Sequence, residues 1–251
     1  MAGRSTPVTR TASARPSASE RIPPPDHHRD VAGGWLRPTV FGSMDGLVTN
    51  VALIAGVGGG GVRPHTVVLT GLAGLVAGAF SMAAGEWTSV TSQNELVQAE
   101  VAMERHELRR SPEAEAEELA RTLADRGVDL PLARQVAHQI GRNPEAALRV
   151  HTREELGVDF EELPSPWIAA GSSFVSFGLG ALVPLLPYLA GAAVLWISLV
   201  AAAVAAVLGG GAVARLTGRP VLVGAFRQLL LGVLAAGVTF AVGHGIGAAA
   251  A

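Results

Sequence analysis

Five apolar blocks, each close to the length needed to cross a bilayer, constrain this chain more than any other feature. They run over residues 38 to about 56, 66 to about 91, 167 to about 187, 188 to about 207 and 221 to about 246. A helix rises 1.5 Å per residue, so about 20 apolar residues cross the ~30 Å hydrocarbon core. Hydrocarbon offers no partners to backbone N–H and C=O groups, so a spanning helix must satisfy them within itself. The expectation is an all-α membrane protein with five transmembrane helices. Charged residues, 16% of the chain, avoid these blocks.

The breaks between blocks are written in Gly and Pro. Gly58–Gly61 followed by Arg63-Pro64 makes a short loop, and Pro184 and Pro187 place a turn or kink between the third and fourth blocks. A basic loop, Arg215 to Pro220, separates the last two. Gly71, Gly74, Gly78 and Gly85 give the second helix small residues for close approach to a neighbour.

Residues 92–165 belong to a different medium and carry most of the carboxylates. Ser111-Pro112 breaks one helix and starts another, with Ser as cap and Pro at the first position; Gly127 stops that helix. A short helix follows from 131 to 140, ended by Gly141. Asn143-Pro144 repeats the start signal and Gly157 the stop. Ala116, Leu119, Ala120 and Leu123 form one apolar stripe, and Val136 and Ile140 another. The division expected is a disordered tail over 1–36, helices one and two over 37–91, a three-helix acidic domain over 92–165, and helices three to five over 166–251. The tail is rich in Ser, Thr, Ala, Pro and Arg and lacks a signal peptide's apolar stretch. Its His27-His28 pair, between Asp26 and Asp30, fits a solvated pair or a metal contact.

All 19 basic residues are Arg. The tail, Arg37 just after it, residues 92–165 and the 215–219 loop hold all of them except Arg63 and Arg227. By the positive-inside rule the N-terminus and acidic domain face the cytoplasm and the C-terminus faces out, with Arg227 close enough to snorkel back.

Several functions are excluded. Without Cys there is no disulfide, thiolate metal site or thiol catalysis, and without Lys no phosphate-binding P-loop or Schiff base. ATP-driven transport by this chain alone is not expected. The net charge of −2 makes no electrostatic case for nucleic acid. No His has Glu three residues before it, as ferritin-like di-iron oxidation requires. No Ser-His-Asp arrangement or dinucleotide glycine motif stands out, so the chain is expected not to be an enzyme and to hold no prosthetic group.

Two sets of residues carry possible chemistry. Asp45, Met82 and Glu86 lie in the apolar blocks, with Met44, Ser81 and Asn50 near them in sequence. Met82 and Glu86, four apart, share a helix face. Carboxylate oxygen with thioether sulfur suits a borderline divalent metal such as Fe²⁺ better than Mg²⁺ or Ca²⁺, and the same carboxylates can carry protons. Packing for Met82, and structural polar contacts for Asp45 and Glu86, are the alternatives. In the acidic domain Glu104 and Glu107 share one face, Glu115 and Glu118 the next, and His151 and Glu155 a third. Antiparallel helices would bring them together as a metal cluster; a solvated acidic face is the alternative. Glu113, Glu117 and Glu154 are assigned to the solvated surface.

At the level of motifs the chain resembles the vacuolar iron transporter family, the plant and yeast iron/manganese transporters and their bacterial relatives. The stretches are Ser43-Met-Asp-Gly-Leu47, Val76-Ala-Gly-Ala-Phe-Ser-Met-Ala-Ala-Gly-Glu86, Arg142-Asn-Pro-Glu-Ala146, Glu155-Leu-Gly157, Leu182-Val-Pro-Leu-Leu-Pro-Tyr188 and Arg227 to Thr239. The resemblance implies a homodimer with a cytoplasmic helical metal-binding domain between helices two and three. It implies export of Fe²⁺, often also Mn²⁺, from the cytosol in exchange for protons. The family's intramembrane acid and methionine match Asp45 and Met82, and its cytoplasmic glutamates match Glu104, Glu107, Glu115, Glu118 and Glu155. Where the family pattern can carry two methionines, this chain has His151-Thr152, a harder and titratable donor. The expected function is therefore proton-coupled export of iron or manganese across the cell membrane, with Asp45, Met82 and Glu86 on the path. Metal binding by the domain is expected to weaken between about pH 7 and 5. A membrane-anchored metal sensor or store, without flux, is the alternative; so is a transporter of an unrelated solute.

Overall fold

The computed structural model of the protein describes residues 34–250. Expectations for residues 1–33, the His27-His28 pair included, lie outside that range. Among the described residues all regular structure is helical. In order these are α1 (Leu36–Gly59), α2 (Pro64–Arg110), α3 (Pro112–Asp125), α4 (Leu130–Gly141), α5 (Pro144–Glu155), α6 (Pro166–Leu182), a 3-10 turn (Val183–Leu185), α7 (Leu186–Leu189), α8 (Leu195–Leu216) and α9 (Val221–Ala250). Five units are long and apolar enough to cross a membrane: α1, the first part of α2, α6 with α7, α8 and α9.

The 47-residue α2 sets the plan. At 1.5 Å per residue it is ~70 Å long, more than twice the hydrocarbon thickness. Its first half is apolar and its second half is charged, so one rigid rod joins a membrane environment to an aqueous one. Trp87 on α2 and Trp167 on α6 meet near the changeover, their rings 6.0 Å apart, as the amphipathic indole favours at such a boundary. The rod ends where Pro112 cannot donate a backbone hydrogen bond.

Local chemistry explains the helices that follow. Ser111 occupies the position before α3, but its side chain makes no capping bond; its carbonyl accepts from Ala114 and Glu115 instead. Asn143 does cap α5, its Oδ1 accepting from the N–H groups of Glu145 and Ala146 at 3.2 Å each. Gly127 and Gly157 stand just past α3 and α5 at φ 97° and 66°, the left-handed region that closes a helix. The core of α3 and α4 is Leu119, Ala120, Ala133 and Ala137. Ile140 packs against it and Val136 does not, so Ala133, Ala137 and Ile140 make the inner face of α4.

Among the spanning helices α1 is central and packs on α2, α6, α8 and α9. Lipid tails are as apolar as Leu, so close packing rather than water expulsion joins helices here. Gly46 lies against the Phe177 backbone and Gly180 against the Ser43 backbone, leaving no room for a side chain at either. Gly71, Gly74 and Gly78 face side chains of α1 and α6 and of the turn after α6, whereas Gly85 faces open space.

The fourth span differs from expectation: it is Leu195–Leu216, not 188–207. Tyr188 and Leu189 belong to the kinked continuation of α6, because Pro184 and Pro187 bend the chain without ending the crossing. The real turn is at Gly191, φ 87°. Glycines 209–211 are poor helix formers, yet α8 continues through them because Gly210 and Gly224 bring the α8 and α9 backbones into contact.

Candidate functional site

Two groups of polar residues lie on α2, one on its apolar half and one on its charged half. In the charged half, Glu104 of α2 meets Glu115 of α3 and His151 and Glu155 of α5. One ligand atom from each of these four lies within 4.8 Å of all the others. His151 Nδ1 is 3.1 Å from Glu104 Oε1, 3.2 Å from Glu155 Oε1 and 3.9 Å from Glu115 Oε2. The His151 and Glu104 side chains are almost wholly enclosed, at 3% and 8% exposure. Glu115 is partly buried, and Glu155 opens to the surface.

A single ring nitrogen cannot satisfy three carboxylates, since it has one hydrogen or one lone pair. The geometry favours Glu155, and buried Glu104 Oε1 is left without a hydrogen-bond partner among the described residues. Burial, and then the charges of Glu155, Glu115 and Glu107, push the Glu104 carboxyl up to about 7. Burial and the neighbouring Glu118 also raise Glu115, with His151 opposing. The group is a concentration of negative charge with no Arg in it, and a divalent cation at its centre would relieve that repulsion.

Glu107 and Glu118 follow Glu104 and Glu115 by one turn, and both are exposed. The structure brings them to the rim and not into the group of four. Thr152 turns its hydroxyl to the Leu148 carbonyl, 2.9 Å away, and faces no metal site. Glu117 is held by Arg134 through two 2.8 Å bonds, and Glu154 pairs with Arg126.

In the apolar half, Asp45 of α1 and Met82 and Glu86 of α2 line one open cleft of about 290 Å³. Asp45 Oδ1 accepts from Thr49 Oγ1, one turn away, at 3.5 Å. Arg37, Thr49, Ser81 and Ser89 share the wall, and Phe177 forms part of the floor. Gly78 keeps the floor open, since a side chain there would strike the Phe177 ring. Met44 points elsewhere, to Gly209 on α8. Asn50 is buried, donating to the Ala181 carbonyl at 2.5 Å. Sequence reasoning missed Arg37, Thr49 and Ser89. Thr49 was findable, four residues after Asp45 on the same face. Ser89 was findable too, three residues after Glu86 and seven after Met82 on the same face, whereas Arg37 joins that cleft through the packing of α1 on α2.

The family is decided by comparison. A profile of the VIT family matches residues 36–244. The chain belongs to the VIT family. It is 37% identical over 229 residues to the vacuolar iron transporter of Acanthamoeba castellanii, covering 87% of this chain and 82% of that one. Vacuolar iron transporter 1 of Arabidopsis thaliana is 35% identical over 170 residues, 65% of this chain and 67% of its own. Vacuolar iron transporter 2 of Oryza sativa subsp. japonica is 30% identical over 227 residues, 88% and 92%. VIT family members are transporters, so this chain is a multi-pass membrane protein and not an enzyme. Both polar groups fall within the part matched to the family.

Proposed function

We propose that the protein exports divalent iron, with manganese as a second cargo, from the cytosol in exchange for protons. The relatives named as iron transporters support metal transport. The observation that carries the reading is the meeting of Glu104, Glu115, His151 and Glu155 on the extension of the helix that also bears Met82 and Glu86. Three carboxylates and one imidazole suit Fe²⁺ and Mn²⁺, which take oxygen and nitrogen together. Residues 92–165 act as a cytoplasmic capture domain, with Glu107 and Glu118 drawing cations to the rim.

From Glu104 to Glu86 is eighteen residues, ~27 Å along the helix. Capture and passage are thus separate events, with release from the domain between them. In the cleft Asp45, Met82 and Glu86 replace part of the ion's water shell with two carboxylates and a thioether. The chain works as a homodimer in which two copies of α1 supply two Asp45 side chains to one path. Protons return through Asp45 and Glu86 once the metal has left. The N-terminus and the acidic domain face the cytoplasm and the C-terminus faces out, in the cell membrane.

The test is uptake into proteoliposomes holding an iron-quenched dye, with Fe²⁺, Mn²⁺ and Ca²⁺ in parallel and with or without a pH gradient. Fe²⁺ or Mn²⁺ flux that rises with the gradient is expected. Metal bound by the protein without flux would replace this reading with a membrane-anchored sensor or store.

A further inference from the structure

Beyond the cleft of Asp45, Met82 and Glu86, the packed interior of the spanning helices holds a further polar side chain on α1. Asn50, five residues after Asp45, is 1% exposed. We infer that its amide oxygen is the next ligand on the ion's route, a neutral station that receives the cation from the cleft. The inference rests on the transport reading given above.

The amide has two ends, and the fold accounts for only one. Nδ2 donates to the carbonyl of Ala181, in the last turn of α6 before the 3-10 turn that contains Pro184. A carbonyl only accepts, so this bond fixes which end of the amide is nitrogen and turns Oδ1 away from α6. Oδ1 is buried and has no hydrogen-bond partner among the described residues. An amide oxygen left without a donor in an apolar setting is costly. Holding the kink explains the nitrogen and leaves the oxygen unexplained. Polar groups within spanning helices mark ion pathways when they face the interior of the bundle.

Oδ1 faces the glycine stripe of α2. It lies 3.4 Å from the point where a side chain at Gly74 would begin, and 3.7 Å from the same point at Gly71. Gly71, Gly74 and Gly78 share one helix face at three- and four-residue spacing. The order along that face places Asn50 on the route. The Phe177 ring lies over Gly78 and floors the cleft, Asn50 stands at Gly74, and Leu185 and Ile54 close over Gly71. Ile54 and Leu185 form a buried apolar cluster with Val67 and Tyr188. The amide oxygen is thus enclosed between an aromatic floor and an apolar plug, about 6 Å past Gly78 along the helix. A cation reaches it when the Phe177 ring leaves Gly78. A carbonyl oxygen is a donor that Mn²⁺ accepts, and without a charge it holds a dication less firmly than a carboxylate does. That suits a station from which the ion must move on.

The experiment compares the full-length protein with Asn50→Leu and Gly74→Ala in proteoliposomes, reading Fe²⁺ and Mn²⁺ flux separately, with thermal melts in detergent alongside. Asn50→Leu keeps the bulk and removes both ends of the amide. Gly74→Ala sets a methyl group against Oδ1 and leaves the bond to Ala181 in place; the Leu53 side-chain end that it also meets can turn aside. Each variant should slow Mn²⁺ flux about ten-fold, as loss of one polar contact to a charged species does. Fe²⁺ flux should fall less, so that the Fe²⁺ to Mn²⁺ ratio rises about three-fold, because Mn²⁺ depends more on oxygen donors. If Asn50→Leu does not fold, the ratio in Gly74→Ala decides. Equal slowing of both ions would overturn the inference and leave Asn50 as a pin for the kink in α6, and so would wild-type Mn²⁺ flux in Gly74→Ala. Flux of neither ion through the unaltered protein would overturn the transport reading itself, and this inference with it.

Discussion

The two halves of α2 solve the problem of gathering carboxylates in opposite ways. In the charged half three glutamates crowd one imidazole with no cation among them, and the crowding raises Glu104 to about 7. In the apolar half two carboxylates share a wider cleft with a thioether, two serines, a threonine and Arg37. The first arrangement suits holding, because its repulsion is relieved most when a dication enters. The second suits passage: its donors are fewer and spread along the cleft, and it already contains a fixed positive charge. One helix therefore carries a tight group in water and a loose one in the membrane. Tight binding within hydrocarbon would stall an ion that must leave again.

The sharpest test of this contrast is Asp45→Ala. An uncompensated intramembrane charge costs roughly 2.5–3.5 kcal/mol on insertion scales, so loss of this carboxylate should slow flux by about two orders of magnitude. Mn²⁺ binding by the purified protein should stay within about two-fold, because the cluster is a separate site. Flux at the wild-type rate would end the assignment of the cleft as the path.

Glu104→Gln addresses the other half. It should weaken Mn²⁺ binding by about ten-fold or more, since a charge-assisted contact is lost. It should also stabilise the metal-free protein at pH 8. The sign follows from linkage. The folded state holds the Glu104 proton up to about pH 7, whereas an unfolded glutamate releases it near 4.3. Folded protein therefore binds more protons in that window, and stability falls as pH rises through it. Thermal melts of the metal-free protein from pH 5 to 8 should show this decline, and Glu104→Gln should flatten it. Equal slopes in both proteins would remove Glu104 from the cluster's energetics.

Metal binding carries the opposite pH sign. A dication displaces the Glu104 proton, so Mn²⁺ affinity should fall, by about ten-fold, between pH 7.5 and 6. A titration flat over that interval would show that Glu104 is not a ligand. The smallest effect belongs to Arg37→Gln, which should change flux by about two- to five-fold through the potential in the cleft, leaving cluster affinity untouched. A change in Mn²⁺ affinity in that variant would mean that the two halves are coupled.

The legibility of this protein divides along the same helix. That the chain is helical, that its apolar blocks are five and that most helix ends sit at Pro, Asn or Gly could all be read from local sequence. Hydrophobicity and the φ limits of Gly and Pro act over a few residues and need no neighbours. The fourth span was displaced because a Pro kink and a turn look alike in sequence; only the packing of the kinked segment and the left-handed Gly191 tell them apart.

The sites were half legible for a related reason. Spacing placed Glu104 and Glu107 on one helix face, and Glu115 and Glu118 on another, as equals. Tertiary structure separated them: the angles at which α3 and α5 meet α2 bury Glu104 and Glu115 against His151 and leave Glu107 and Glu118 at the rim. That Arg37 lines the same cleft as Glu86, and that a cavity lies behind His151, had no sequence signal, because each depends on the angle and register at which neighbouring helices pack. Sequence by itself determined the medium of each segment and the supply of carboxylates, since both are sums over single residues. Which carboxylates meet, what faces them and where the ring of His151 points were decided by helix packing, since each is a relation between segments that no single segment contains.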